Sequence, residues 1–317
     1  VALDRYDYHY ASVSGLRAEA LSMLGHRWNG EEMFSPRRAE SWVVSVAPDV
    51  RAGHIRPRLE RGRAAWFTRL WRAPSGRLYV TDSSGVLHVR EPDPVAADVP
   101  ASAHWTEHPL PAALMGVWGV DDSCLFVWGG TRSRDRLFHW NGVEWRELPS
   151  PGGIIAMHGL GPQHVYAVGR RGLLALWNGH RWFHVGTATR ETLASVWVAD
   201  AESAFACGMD GSVLEGSAWG WQTVARLDRP LFGIARWGER LWLAGGTHGL
   251  LARSGRGDRF VAVRDDIVAT SIDARDHLLI GGGSEVRESN DGESFRAIAG
   301  HALARARSGQ PTLWGSP

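Results

Sequence analysis

The segment His104-Trp-Thr-Glu-His108 matches H-x-x-E-H, the inverted form of a zinc-peptidase motif. That chemistry needs a helix, so that both imidazoles share one face and the glutamate sits beside the metal. Here the motif lies between Pro100 and Pro109, in a stretch that reads as a strand. On a strand, residues i and i+4 share a face but stand about 13 Å apart, at ~3.3 Å per residue, too far for one tetrahedral ion. His180 and His184 fail in the same way, because they straddle a turn into a strand. Glycoside hydrolysis would need carboxylates converging on one bond, and no phosphate-cradling loop or nucleophile triad is spelled out elsewhere. The expectation is no catalytic residue, no metal and no cofactor. Cys124 and Cys207 are too few for a disulfide framework and read as buried free thiols.

Charge excludes further classes. All 35 basic side chains are arginine, balanced by 34 acids for a net +1. No global field therefore selects nucleic acid or an anionic membrane. No run of eighteen apolar residues occurs, and the first ten residues lack the apolar core of a signal peptide. A cytoplasmic protein is expected if the chain starts where its numbering does.

The elements that would position a site are set by a repeat. Aromatics lead similar short segments at Trp105, Trp145, Trp182, Trp221, Phe260 and Phe295, spaced 40, 37, 39, 39 and 35 residues apart. A period near 40 belongs to propeller blades or helical pairs. Each unit opens on a β-rich run such as Leu193-Ala-Ser-Val-Trp197. A second run ends in glycine, as in Val165-Tyr-Ala-Val-Gly169. A third starts just past a glycine, and the turn before the fourth carries Asn141-Gly142, Asn178-Gly179 or Asp291-Gly292, strong hairpin signals. Four short strands with no helical period predict a four-stranded antiparallel blade.

Residues 64–300 hold six such units. A seventh is expected to be shared between the ends, with 21–36 giving two strands and 301–317 the others. The predicted fold is an all-β, seven-bladed β-propeller occupying 21–317, its ring closed by pairing N- and C-terminal strands so that no sheet edge stays open. Residues 1–20, with Tyr6, Tyr8 and Tyr10 alternating, read as an N-terminal extension that covers an edge or adds to a partner's sheet. The arginine-rich 49–63 reads as a solvated connecting loop.

The Val-Tyr-Ala-Val-Gly pattern followed by Trp-Asn-Gly-x-x-Trp resembles the Trp-rich propellers of the bacterial BNR/Asp-box group, among YVTN- and WD40-like propellers. Glu288-Ser-Asn-Asp-Gly-Glu-Ser-Phe295 is similar to a degenerate Asp-box. The resemblance concerns repeat structure and implies a folding element of an outer turn, not an active site. It also suggests a component of a larger assembly.

Inner strands are expected to line the central channel with Gly116, Ala156, Ala194, Ser195, Gly233 and Ala269, offering no acid/base pair. A quiet channel inside a closed ring suits docking to another protein. The candidate partner-binding residues are Arg132, Arg134, Arg170, Arg171, Asp210 and His248, all in loops between second and third strands and so at one end of the ring. The expected function is a non-catalytic protein-binding scaffold, with a glycan-binding lectin as the alternative and a glycoside hydrolase behind it. Membrane and nucleic-acid partners are not expected.

Overall fold

A computed structural model describes residues 6–29, 40–49, 54–63, 66–92, 105–131, 133–186 and 189–300. Seven four-stranded antiparallel sheets form the ring, each paired in simple meander order. Blades 1 to 7 cover residues 6–63, 67–109, 114–148, 154–184, 193–226, 233–264 and 271–300. No helix among the described residues is long and apolar enough to cross a membrane.

The hydrophobic core is divided into seven clusters, one at each junction between neighbouring blades. Phe126 and Leu137 of blade 3 pack with Val165 and Trp177 of blade 4. Phe205 of blade 5 packs with Leu243 of blade 6, and Trp242 of blade 6 with Leu278 of blade 7. Each sheet thereby buries both faces against its neighbours, which is why second strands such as Leu78–Asp82 and Leu278–Gly282 are buried along their whole length, the latter apolar throughout. Outermost strands such as Trp145–Leu148 and Val261–Arg264 face solvent and are mostly polar or exposed.

The repeat units are as the sequence predicts, down to the hairpins between third and fourth strands. Asn141 Oδ1 accepts from the amides of Val143 and Glu144, and Asn178 Oδ1 from those of His180 and Arg181. Asp291 Oδ1 does the same for Glu293 and Ser294. The Asp-box-like segment is thus a local turn clamp, with Gly292 at φ +75° supplying the left-handed step.

The first blade differs from expectation. Its strands are Tyr6–Gly15, Leu21–Asn29, Glu40–Asp49 and His54–Arg63. Residues 6–15 are therefore its inner strand, not an extension, and 54–63 its outer strand, not a loop. The blade expected to be shared between 21–36 and 301–317 is built wholly from the N-terminal segment; 301–317 lie outside the described residues. Two misleading signals account for this. Trp28-Asn-Gly30 copies the turn before a fourth strand, and the outermost strand His54–Arg63 carries no apolar run that would mark it.

Closure depends on inter-blade hydrogen bonds between blade 1 and blade 7. Tyr10 N–H donates to the Gly283 carbonyl at 2.8 Å and His277 N–H to the Leu16 carbonyl at 2.9 Å. Gly15 N–H donates to Asp273 at 2.9 Å and Ala18 N–H to Glu288 at 2.6 Å. Beneath them Val13, Met23 and Val44 pack on Leu279, Val286 and Ile298.

Candidate functional site

The loops between second and third strands emerge at one end of the ring. Arg134 is exposed, with Glu147 at 3.8 Å. Arg170 and Arg171 are exposed on the adjacent blade, and among the described residues their guanidinium groups meet no acceptor. Arg171 stands at φ +58°, a left-handed conformation that costs a non-glycine residue about 1 kcal/mol. Between these two loops lies a cleft of about 190 Å³, lined by Met115, Ile154, Thr131, Asp135 and Arg170. Met115 is 50% exposed there, and Met209 on blade 5 is exposed at the same end.

The other predicted residues are less uniform. Asp210 accepts from the amide and hydroxyl of Ser212 and pairs with Arg226 at 3.2 Å, so its carboxylate is committed to its own turn. His248 is exposed on blade 6. Arg132 lies outside the described residues.

A second feature is the central funnel, a cavity of about 370 Å³ that opens at the opposite end, where first strands run into second strands. Strand register sorts its walls into levels. At one level stand Ser12, Arg69, Gly116, Ala156, Ser195, Gly233 and Ser271, each paired with the second-strand residue that precedes a glycine, or Asp82 in blade 2. Two residues on, toward the mouth, stand Ser14, Trp71, Trp118, His158, Trp197, Ala235 and Asp273.

The expected quiet channel is corrected here. Gly116, Ala156, Ser195 and Gly233 do form a level of small residues. Ala194 is displaced by a bulge, and Ala269 is buried beside Gly246 ahead of the inner strand. But Arg69 interrupts the small level, and aromatic and charged groups occupy the next. Sequence reading overlooked Arg69, Trp118, His158, Trp197, Asp273 and Arg275.

Blades 3, 4 and 5 line one side of the funnel with a continuous aromatic arc. His158 stacks on Trp197 with ring centroids 4.3 Å apart, and Trp118 stands 5.8 Å away on its other side. His158 Nδ1 accepts from the Val198 amide at 3.0 Å, which leaves the proton on Nε2. Burial, with the Arg275 charge adding to it, pushes His158 down to about 3. The ring is neutral at physiological pH and its Nε2–H is a fixed donor.

The two funnel arginines differ in kind. Arg275 is engaged on several sides: it pairs with Asp273 at 3.0 Å and donates to the Arg72 carbonyl at 2.8 Å and to Ser14 at 3.0 Å. Arg69, half-buried in the wall, meets no acceptor among the described residues, and burial alone pushes its guanidinium below the ordinary arginine value.

No group of three metal-ligating side chains occurs among the described residues. His108 sits on the exposed outer strand Trp105–Pro109, as the strand reading requires, and His104 lies outside the described residues. Both cysteines are buried and free. Trp177 and Trp221 are buried, and Trp105, Trp140, Trp145 and Trp182 are half-buried in the blade junctions. Trp219, 88% exposed in an outer hairpin, is the exception.

The chain matches no family model. It is 28% identical over 136 residues to the immune protein Tsi7 of Pseudomonas aeruginosa, covering 40% of this chain and 44% of that protein. The chain thus spans less than half of that relative. Similar solved structures include the WD40 β-propeller domain of Doa1, with TM-score 0.65, 9% identity and 89% and 92% of the two chains covered. Sqt1 of Saccharomyces cerevisiae gives TM-score 0.59 at 10% identity, covering 94% and 87%. YCF48 bound to D1 peptide gives 0.54 at 11%, covering 74% and 81%. At such identities the likeness is one of fold, a propeller with WD40 neighbours.

Proposed function

We propose that the chain is a protein-binding scaffold that captures an acidic surface of a partner on the end of the ring bearing Arg134, Arg170 and Arg171. The carrying observation is the cleft between blades 3 and 4, where exposed Met115 lies beside Arg170, which among the described residues meets no acceptor. An apolar contact beside a cation with no internal partner, with exposed Arg171 next to it and Arg134 held only by a long, exposed contact to Glu147, is what a complementary acidic patch needs. Arg171 in a left-handed conformation adds to this, since such strain persists where something else over-determines it. A peptide bound to the YCF48 propeller and the immune role of Tsi7 both support recognition of a protein. Arg132, in the same insertion as Arg134, belongs to this proposal by sequence position.

The test is charge reversal of Arg134, Arg170 and Arg171 to glutamate, followed by capture of the native partner and a salt titration. At about 1 kcal/mol per rim charge, affinity falls roughly 100-fold and the loss shrinks as salt rises. Melting should stay within about 1 °C of the parent, because these side chains hold little of the fold. Undiminished capture refutes this face, and retention on a glycan array in place of a protein partner selects the lectin alternative.

A further inference from the structure

We propose that the central funnel binds a carboxylate carried on a flat or apolar body, with Arg69 as its counter-ion. The aromatic arc of Trp118, His158 and Trp197 is the wall against which that body lies. This site is separate from the docking end above, because its mouth opens at the opposite end of the ring.

Four observations converge. First, Arg69 is a half-buried guanidinium with no acceptor among the described residues. Withdrawing a charge from water without a partner is costly, and other shielded arginines have acceptors, as Arg253 has Glu215 and Arg275 has Asp273. Second, the six residues at its level are serine, glycine or alanine, so Arg69 is the one long side chain that starts from that level, with the Trp128 indole packed over Gly116. Third, His158 is held by the Val198 amide as a neutral ring whose Nε2–H has no acceptor among the described residues, so the lining of the same cavity carries a second donor for a polar atom of the ligand. Fourth, about 370 Å³ with four tryptophans in the lining, Trp71, Trp118, Trp128 and Trp197, suits a ligand of one or two residues in size.

Charge selects the anion. Arg69 and Arg275 against Asp273 leave one net positive charge in the funnel. A monoanionic carboxylate is neutralised by it, and its two oxygens match the guanidinium fork. A phosphate dianion would stay half-compensated. The carboxylate could come from a polypeptide, as its terminus or an acidic side chain, or from a free small acid; the chemistry at Arg69 is the same.

The full chain is titrated with benzoate, its neutral isostere benzamide and inorganic phosphate, followed by calorimetry and tryptophan fluorescence. Benzoate should bind saturably, at least ten times tighter than benzamide and tighter than phosphate. Arg69→Met should lose that preference while melting no lower than the parent, since it removes an uncompensated charge. Arg69→Gln keeps a polar donor at the position and should lose it too, whether or not the Met variant folds. A short tryptophan-containing peptide with a free C-terminus is compared with its amidated form. A preference for the free end assigns a polypeptide source, and exclusion of both peptides with benzoate still bound assigns a free acid. Equal binding of benzoate and benzamide, a preference surviving both variants, or tighter binding of phosphate overturns the proposal.

Discussion

Glu288→Ala should weaken the closure of the ring. Glu288 belongs to blade 7, is 5% exposed, and accepts from Ala18 N–H of blade 1 at 2.6 Å, His277 at 2.7 Å and Arg296 at 2.7 Å. Removing the carboxylate strands the buried Ala18 amide, worth about 1–3 kcal/mol. Loss of the half-buried His277 bond and the vacated volume add about 1 kcal/mol. The Arg296 pair is largely solvated and adds little. A total near 3 kcal/mol, against an unfolding entropy of about 0.7 kcal/mol/K for a chain this long, lowers melting by about 4–5 °C. Burial by itself would raise the Glu288 carboxyl, but the hydrogen bonds from His277, Arg296 and Ala18 together hold it below the ordinary glutamate value. A depressed folded value means that this stabilisation is complete above the unfolded pKa. It is lost as pH falls through the folded value, so the gap between parent and variant should narrow as pH falls from about 5 toward 3 and below. Differential scanning calorimetry across that range measures it, with Glu144→Ala as control because its Arg146 pair is exposed on both sides. A variant melting within 1 °C of the parent at pH 7, or a control that falls as far, would refute the latch.

Two further outcomes follow from the described geometry. Gly249→Ala should destabilise by more than about 2 kcal/mol, because φ is +78° and an added Cβ would meet the Arg264 carbonyl at 1.8 Å, whereas Gly161→Ala, with nothing within 4 Å, should melt with the parent. Thiol titration should find neither Cys124 nor Cys207 reactive in the native protein and both reactive in denaturant. Burial pushes Cys124 up to about 11, with Asp121 adding to it, and raises Cys207 further.

Blades 2 to 7 were legible because their aromatic and strand runs recur in register, and in blades 3, 4 and 7 the last turn has a local chemical cause, the Asn141, Asn178 and Asp291 clamps. Blade 1 was not, because its outer strand needs no apolar run and its Trp28-Asn-Gly30 copies a signal from another place in the blade. The funnel was hidden for a different reason. Trp118 and Trp197 recur on inner strands much as core tryptophans do, and pattern alone does not say which lean into a junction and which stand at the channel. Register resolves it: at the level of Arg69 the other inner strands carry serine, glycine or alanine. Sequence offset does not, because blade 2 carries Asp82 where the other blades have a glycine, and the offset to that glycine varies. Of the partner-binding candidates, Arg134, Arg170 and Arg171 share an exposed end as their loop positions implied. Asp210 does not present a free carboxylate, because its side chain completes its own turn.

The docking account is tested most directly by hydrogen exchange of the chain alone and with its native partner bound. Slowed exchange at residues 129–136 and 150–172, on the end carrying Arg134, Arg170 and Arg171, is the result the account predicts. Protection confined to the opposite end, at residues 73–77, 119–123 and 159–163, would contradict it.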